Sequence, residues 1–154
     1  LGARVIGVDM SEYRRNLAEK LGAWKTVDAS KKNVIERLRK LTGGAGPDIC
    51  LECTGKPDPV AMAFEAARKG GKLGIVGEQP LATFNPSRDL IHKELNVYGA
   101  WYFRLADFPG MVELVNRGLK AKKIVTHRMP LEEAQKGYEL MAAQKSGKVL
   151  FVQY

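Results

Sequence analysis

The residue that most clearly points to chemistry is Asp9, which ends a short apolar run, Arg4-Val5-Ile6-Gly7-Val8. A helical pattern begins almost directly after it, at Ser11. In nucleotide-binding α/β sheets, a carboxylate in this place accepts hydrogen bonds from the two ribose hydroxyls of a bound adenosine. Asp and Ser are also good helix N-caps, so the same residues can simply mark the start of a helix. The rest of the chain has to decide between these two interpretations.

Glycines follow the ends of later predicted strands. In chain order these ends are Cys53-Thr54-Gly55, Val76-Gly77-Glu78 and Gly99-Ala100-Trp101. Ligands of open parallel sheets bind at the carboxyl ends of the strands. A glycine there lets a flat ring or a sugar approach the backbone closely. Each glycine alone is a weak indication, because glycine also ends strands, but together with the acid they favour a nucleotide site.

The cysteines and histidines do not indicate a catalytic or metal centre. Cys50 and Cys53 form a C-x-x-C, but a zinc ribbon needs a second such pair or two histidines at ligand spacing, and the sequence has neither. Positions three apart on a strand also face opposite sides, so we expect buried structural thiols. His92 and His127 are isolated, and we expect structural roles for both. We therefore predict no catalytic residue and no metal ligand in this chain.

Strand and helix patterns alternate strictly through the first hundred residues. We predict strands at 4–9, 24–27, 48–53, 72–76 and 96–100, with helices at 11–21, 31–41, 61–68 and 88–93. Strict alternation of near-continuous apolar strands with helices implies a parallel sheet covered on both faces. Beyond this we predict helices at 107–117 and 131–143 and strands at 124–127 and 149–152. A boundary near residue 101 divides the chain into domains 1–101 and 102–154.

Composition and charge narrow the functional class further. The chain has 154 residues, of which 45% are hydrophobic, and no apolar run approaches the roughly 20 residues of a membrane span. No signal-peptide pattern is present at the start, so we expect a cytoplasmic protein without a membrane partner. The net charge of +8 makes nucleic acid a candidate partner. However, the basic residues are spread along helix faces and loops, which favours attraction for an anionic cofactor over nucleic acid.

Motifs in a fixed order extend through essentially the whole chain. They are Gly2-Ala3-Arg4-Val5-Ile6-Gly7-Val8-Asp9, Arg14, Ala18-Glu19-Lys20-Leu21-Gly22-Ala23, Gly46-Pro47-Asp48, Glu52-Cys53-Thr54-Gly55, Gly70-Gly71-Lys72-Leu73-Gly74-Ile75-Val76-Gly77, Gly99-Ala100, Val125-Thr126-His127-Arg128-Met129-Pro130-Leu131-Glu132-Glu133-Ala134 and Ser146-Gly147-Lys148-Val149. In this order the chain resembles the cofactor half of the zinc-type medium-chain alcohol and polyol dehydrogenases, which include sorbitol and threonine dehydrogenases. The resemblance implies an α/β, Rossmann-like doubly wound parallel sheet and a C-terminal segment that returns to the catalytic domain. It also implies an NAD-dependent oxidoreductase that transfers hydride between an alcohol or polyol and the nicotinamide.

The resemblance implies cofactor contacts along the whole dinucleotide. The residues are Asp9 at the adenosine ribose, Arg14 along the adenosine phosphate side, Thr54 and Gly55 in the adenosine pocket, Val76, Gly77 and Trp101 around the nicotinamide, and Lys148 at the pyrophosphate. The charge of Asp9 favours NAD over NADP, because a carboxylate repels a 2′-phosphate. Arg14 and Arg15 act against this preference, since nearby arginines are how such sites accept that phosphate.

Two parts of the family pattern have no counterpart in the sequence. The first strand with its G-x-G-x-x-G turn would precede Leu1, and the ligands of the catalytic zinc would lie in an absent N-terminal domain. We therefore expect the isolated chain to be inactive, with zinc bound elsewhere in the parent enzyme. The absent strand is the central one in the order 3-2-1-4-5-6. We expect strands 4–8 and 49–52 either to pair directly or to borrow a strand from a neighbour in a homo-oligomer.

Two other functions fit parts of the sequence. Val5-Ile6-Gly7-Val8-Asp9-Met10-Ser11 also suits the ribose-binding strand of an S-adenosylmethionine-dependent methyltransferase, and Gly70-Gly71-Lys72-Leu73 suits a later strand of that fold. The segments 126–133 and 146–148 have no counterpart there. The third function is a non-enzymatic basic module that binds nucleic acid or a protein. For a dehydrogenase, the sequence does not distinguish a secondary alcohol, a sugar polyol or an amino alcohol as the substrate.

Overall fold

The computed structural model of the chain describes residues 2–153. In chain order its main elements are β1 (Ile6–Asp9), α1 (Glu12–Lys20), β2 (Lys25–Asp28), α2 (Val34–Leu41), β3 (Ile49–Glu52), α3 (Pro57–Ala66), β4 (Lys72–Ile75), β5 (Asn96–Gly99), α4 (Phe108–Asn116), β6 (Val125–Pro130), α5 (Ala134–Ala142) and β7 (Lys148–Val152). A turn of π-helix (Pro86–Ile91) precedes β5, and short 3₁₀ turns precede α4, β6 and α5. Every strand pair is parallel. These parallel strands with intervening helices confirm the predicted α/β class.

The chain forms two compact units. One unit combines the two ends of the chain, up to Lys32 and from Pro109 onward, and the other contains residues 33–108. The first holds the two-stranded sheets β1–β2 and β6–β7, and the second holds the sheet β3–β4–β5. None of the helices described between residues 2 and 153 is long and apolar enough to cross a membrane.

In the first unit, local residues determine where α1 begins and where it ends. Ser11 is the N-cap, and its hydroxyl oxygen accepts the N–H of Arg14. The helix stops before Gly22, whose φ of +102° is the left-handed conformation that glycine adopts without a steric penalty. The helix packs closely on the sheet, since a Cβ on Gly7 would lie 3.4 Å from side-chain atoms of both Ala18 and Thr26.

The last two strands of the first unit enclose α5 in a βαβ arrangement. Gly137 of α5 lies directly against the strands, because a Cβ there would be 2.7 Å from the Phe151 ring and 3.1 Å from the Met129 sulfur. This close helix–sheet contact depends on the absence of a side chain at residue 137. Within the sheet, the register between β6 and β7 shifts between Val125 and His127.

In the second unit, α3 covers β3 and β4 and supplies two of the five buried residues of the core. Its buried residues Val60 and Phe64 pack with Ala67, Leu73 and Leu95, all of which are less than a tenth exposed. The sequence pattern places the start of this helix at residue 61, which is too late. Pro57 occupies the first helical turn, where its missing N–H costs nothing and its fixed φ suits the helix.

The prediction that β1 and β3 pair directly is wrong. Within residues 2–153, β1 is hydrogen-bonded only to β2, and β3 only to β4. Each strand instead pairs with the next one along the chain through a βαβ crossover, the connection that parallel strands require. The alternative, a strand borrowed from a neighbouring chain, stays a prediction.

Candidate functional site

The carboxylate of Asp9 is fixed at the carboxyl end of β1. Its Oδ1 accepts the backbone N–H of Ser11 at 2.7 Å, so the N-cap of α1 is Ser11 and not Asp9. No salt bridge and no bond to Oδ2 involves Asp9 among the residues that the structure describes. One carboxylate oxygen is thus oriented by the backbone while the other is left for a ligand, as a ribose-binding acid requires.

A second acid, Asp28, stands beside Asp9 and was missed by the sequence reasoning. The two residues are register partners at the ends of β1 and β2. Asp28 accepts the backbone N–H and the hydroxyl of Ser30 at 2.9 and 2.7 Å. These bonds, with the nearby charge of Arg15, lower the pKa of Asp28. Val27-Asp28 repeats the pattern of Val8-Asp9, an apolar residue followed by an acid at a strand end, and that repetition could have revealed it.

The Arg15 side chain is bound to the ends of β1 and β2. Its guanidinium donates to the carbonyl oxygens of Asp9 and Met10, both at 2.8 Å. It also forms an ion pair with Asp28 at 3.4 Å, and both side chains are partly buried. The Arg15 guanidinium is therefore held by two backbone carbonyls and by one carboxylate, that of Asp28.

Arg14 and the segment before Lys148 lie together in the same unit. Nε of Arg14 donates to the Ser146 carbonyl at 3.5 Å, a long hydrogen bond. The Ser11 hydroxyl donates to the Gln144 carbonyl at 2.8 Å. Lys148 follows as the exposed first residue of β7. The structure thus brings the start of α1 and the turn ahead of Lys148 into contact, with Asp9 just before that start.

In the second unit, the ends of β3 and β4 meet through two glycines. The carbonyl of Glu52 accepts the N–H groups of Val76 and Gly77, at 2.9 and 3.1 Å. A Cβ on Gly77 would lie 2.2 Å from the nitrogen of Gly55, and a Cβ on Gly55 would lie 2.5 Å from the Glu78 carbonyl. Gly55 also has a φ of +70°. The structure therefore joins the predicted residues at 54–55 and 76–77 into one backbone surface on which neither glycine can carry a side chain.

Trp101 follows β5, whose end pairs with the end of β4. Its side chain is 70% exposed. Its ring packs edge-on against Tyr102, with a centroid distance of 4.7 Å and an interplanar angle of 76°. Of the predicted nicotinamide contacts, Val76 and Gly77 thus lie just past the end of β4, and Trp101 lies just past the end of β5.

The two cysteines differ from the expectation of burial. Cys50 is partly buried, but Cys53 is exposed, because it stands just beyond the last residue of β3. Burial raises the pKa of both thiols, and the neighbouring Glu52 charge raises that of Cys53 further. Thiols with a raised pKa are poor nucleophiles at neutral pH. The raised pKa therefore disfavours a nucleophilic role for either thiol.

Of the two histidines, His127 takes part in a local structural network. Its Nδ1 lies 2.9 Å from the Thr126 hydroxyl oxygen, which accepts the N–H of Gly147 at 3.0 Å. Between residues 2 and 153, no three His, Cys, Asp or Glu side chains converge as a metal site would require. The described residues therefore offer no set of ligands for a zinc ion.

Parallel strands joined by βαβ crossovers, with an acid at the end of β1, are the arrangement typical of nucleotide-binding α/β proteins. The chain belongs to the zinc-binding dehydrogenase family, whose model matches residues 1–117. This confirms the resemblance seen in the sequence.

Individual relatives agree with this assignment. The chain is 33% identical, over 97% of its length and 44% of the relative's, to L-threonine 3-dehydrogenase of Bacillus velezensis. The crystal structure of 2R,3R-butanediol dehydrogenase from Bacillus subtilis matches with a TM-score of 0.85 at 30% identity, over 99% of this chain and 45% of that one. A crystal structure of an NAD-dependent alcohol dehydrogenase matches with a TM-score of 0.81 at 28% identity, over 99% and 45%. The chain thus spans less than half the length of these relatives.

Proposed function

We propose that this chain is the cofactor-binding portion of an NAD-dependent dehydrogenase that transfers hydride between an alcohol or polyol and the nicotinamide. The observation that carries the proposal is the Asp9 carboxylate, held by the Ser11 N–H with Oδ2 left for a ribose hydroxyl. The relatives support it, since they are named as dehydrogenases of threonine, butanediol and alcohols. When bound, the nicotinamide supplies the hydride chemistry, and the chain's own residues bind and orient it.

Each predicted contact has a physical task in this proposal. Asp9 accepts hydrogen bonds from the adenosine ribose, and Arg14 and Lys148 supply positive charge toward the phosphates. Thr54 and Gly55 line the adenosine pocket. The group around the nicotinamide is Val76, Gly77 and Trp101. The tight backbone surface at Gly55 and Gly77 supports these assignments, because it offers a ligand a flat wall without side chains.

The arrangement at the ends of β1 and β2 favours NAD over NADP. Asp9 and Asp28 place two carboxylates side by side, and their combined charge repels a 2′-phosphate. Arg15 cannot offset this freely, because its guanidinium is held by the Asp9 and Met10 carbonyls and by Asp28. The structure thus weakens the one sequence argument that favoured NADP.

Titration of the ¹⁵N-labelled chain with NAD, observed by NMR, tests the proposal. We expect saturable shifts at residue 9 and at the amides of 54–55 and 76–77, with weaker binding of NADP. In Asp9→Asn the loss of the charged acceptor should raise the NAD Kd at least tenfold. The matched control is Asp48→Asn, which removes an exposed carboxylate paired with Arg68.

Three results would contradict the proposal. NAD binding unchanged in Asp9→Asn would remove its physical basis. Saturable binding of S-adenosylmethionine without binding of NAD would favour a methyltransferase. Tight binding of random duplex DNA that falls steeply with salt would favour the basic module.

Several features of the parent protein belong to the same proposal. We infer that residues 1–101 form part of its cofactor domain, that residues 102–154 belong to its catalytic domain, and that the zinc ligands lie outside this chain. We also infer a cytoplasmic homo-oligomer, with strand exchange at β1 and β3 as one route of assembly. Sedimentation of the purified chain over a concentration series measures the assembly, and cell fractionation measures the location.

A further inference from the structure

Glu52 is a buried carboxylate at the end of β3 to which the sequence assigns no role. It is 3% exposed. Its Oε1 accepts the backbone N–H of Thr54 at 2.6 Å and also the Thr54 hydroxyl. Its carbonyl accepts the N–H groups of Val76 and Gly77. A single residue therefore fixes the loop after β3 through its side chain and the loop after β4 through its backbone.

The other carboxylate oxygen of Glu52 does not help to stabilise the fold. Oε2 is buried and has no hydrogen-bond partner among the described residues. It lies against Gly77, where a Cβ would be 2.7 Å away. A buried carboxylate with an unpaired oxygen is unfavourable compared with an apolar side chain of similar size. The fold alone would be served better by a methionine or leucine, so Glu52 points to a task other than stability.

The task is visible in what the paired oxygen does. The two bonds from Oε1 hold Thr54 in a tight turn and place Gly55 at its φ of +70° against Glu78. Charge-assisted bonds to a carboxylate are stronger than bonds between neutral groups. Without them, Thr54 and Gly55 would be free to move away from Gly77, and the glycine surface would lose its shape.

We propose that Glu52 is a positioning residue for the dinucleotide. Its carboxylate holds residues 54–55 against residues 77–78, so that the backbone wall is formed before the cofactor arrives. This inference rests on the proposed function, in which the same two loops contact NAD. Preorganisation of this kind raises affinity because the loops need not be ordered during binding.

The test separates positioning from stability with three variants of the chain. Glu52→Met removes both Oε1 bonds together with the buried charge. Glu52→Gln keeps an oxygen that can accept both bonds. Asp89→Asn is the matched control, because Asp89 is the other buried acid of this unit, 5% exposed, and holds the π-helical turn through Asn85. For each variant we would measure the NAD Kd by NMR, the melting temperature and the exchange rate of the Thr54 amide.

We expect the Glu52 and Asp89 variants to have opposite effects on NAD affinity and on stability. Glu52→Met should melt no lower than the unsubstituted chain, yet bind NAD about tenfold more weakly and exchange the Thr54 amide at least tenfold faster. Glu52→Gln should restore NAD binding to within about threefold of the unsubstituted chain. Asp89→Asn should melt lower and leave the NAD Kd unchanged.

Other outcomes overturn the inference. It fails if Glu52→Met binds NAD as the unsubstituted chain does, if Glu52→Gln binds as weakly as Glu52→Met, or if Asp89→Asn weakens NAD binding equally. These failures require that the unsubstituted chain binds NAD. An unsubstituted chain with no NAD-dependent shifts would overturn the proposed function and this inference together, so the two failures are distinguishable.

Discussion

Replacing Lys93 by Met should destabilise the second unit more than any other single change at a partly exposed lysine. The Lys93 ammonium donates to the carbonyl oxygens of Phe64, Glu65 and Ala67, at 2.6, 2.8 and 3.0 Å. These carbonyls end α3, where the last acceptors of a helix have no partner within it and the dipole is negative. Lys93 thus caps the end of the helix that carries the core residues Val60 and Phe64.

The size of the effect follows from these contacts. A hydrogen bond to a charged group contributes about 1.5–3 kcal/mol, but three bonds from one ammonium are not additive. Burial also opposes them, since it lowers the pKa of Lys93, and the charge of Arg39 lowers it further. Phe64 and Ala67 are each 2% exposed, so water cannot easily replace the lysine at their carbonyls. We expect a net loss of about 3 kcal/mol, or about 6–12 °C in melting temperature.

Urea unfolding followed by circular dichroism, with Lys69→Met as the control, measures this loss. Lys69 pairs with Glu94 at 3.2 Å, but both side chains are about 70% exposed, so its removal should change the free energy of unfolding by less than about 1 kcal/mol. A Lys93→Met protein as stable as the Lys69→Met protein would refute the reasoning. It would mean that the three short contacts only replace equally good contacts with water.

Two more perturbations test the second unit. The pKa of the Asp89 carboxyl is lowered from 3.8 to about 2, mainly by its hydrogen bonds from Arg88. The stability that the ionised Asp89 contributes is therefore complete above pH 3.8 and is lost as the pH falls toward 2. Acid titration of the free energy of unfolding should therefore show a loss of about 1–2 kcal/mol over this range, after allowance for the exposure of Arg88, and a smaller loss in Asp89→Asn. Gly77→Ala places a Cβ 2.2 Å from the Gly55 nitrogen and should cost at least about 2 kcal/mol, whereas Gly99→Ala, with open space around it, should change the melting temperature little. Equal melting temperatures for the two alanine variants would show that the loops yield without cost.

Much of the fold could be predicted because its signals are local. The N-cap at Ser11 and the left-handed Gly22 determine where α1 starts and ends, and both are visible in the sequence. The short apolar runs give the strands within a residue or two, except that β6 continues to Pro130, three residues past the predicted end at 127. The start of α3 was misplaced because Pro57 and Pro59 resemble a loop until the position of the first helical turn is known.

The site was less predictable, because it depends on which segments meet. Asp9 could be found from its position at a strand end, but the presence of Asp28 beside it depends on the register of β1 and β2. The contacts of Arg15 with the ends of both strands depend on the same register. Glu52 precedes Cys53-Thr54-Gly55 in the sequence and resembles any last residue of a strand. Only the packing of Gly77 against Gly55 shows that its carboxylate is enclosed.

The chain's two ends share one unit, and this affects the order in which the protein can form. The Ser11 hydroxyl reaches the Gln144 carbonyl, 133 positions along the chain, whereas residues 33–108 make a core from a continuous stretch. Such distant closure is slow because the chain entropy must be lost before the contact forms. During synthesis the middle stretch can fold as soon as it emerges, whereas the start of α1 gains its bonds to residues 144 and 146 only later. A chain that ends near residue 110 and has been released from the ribosome should therefore resist protease within residues 33–108 and remain sensitive before Lys32.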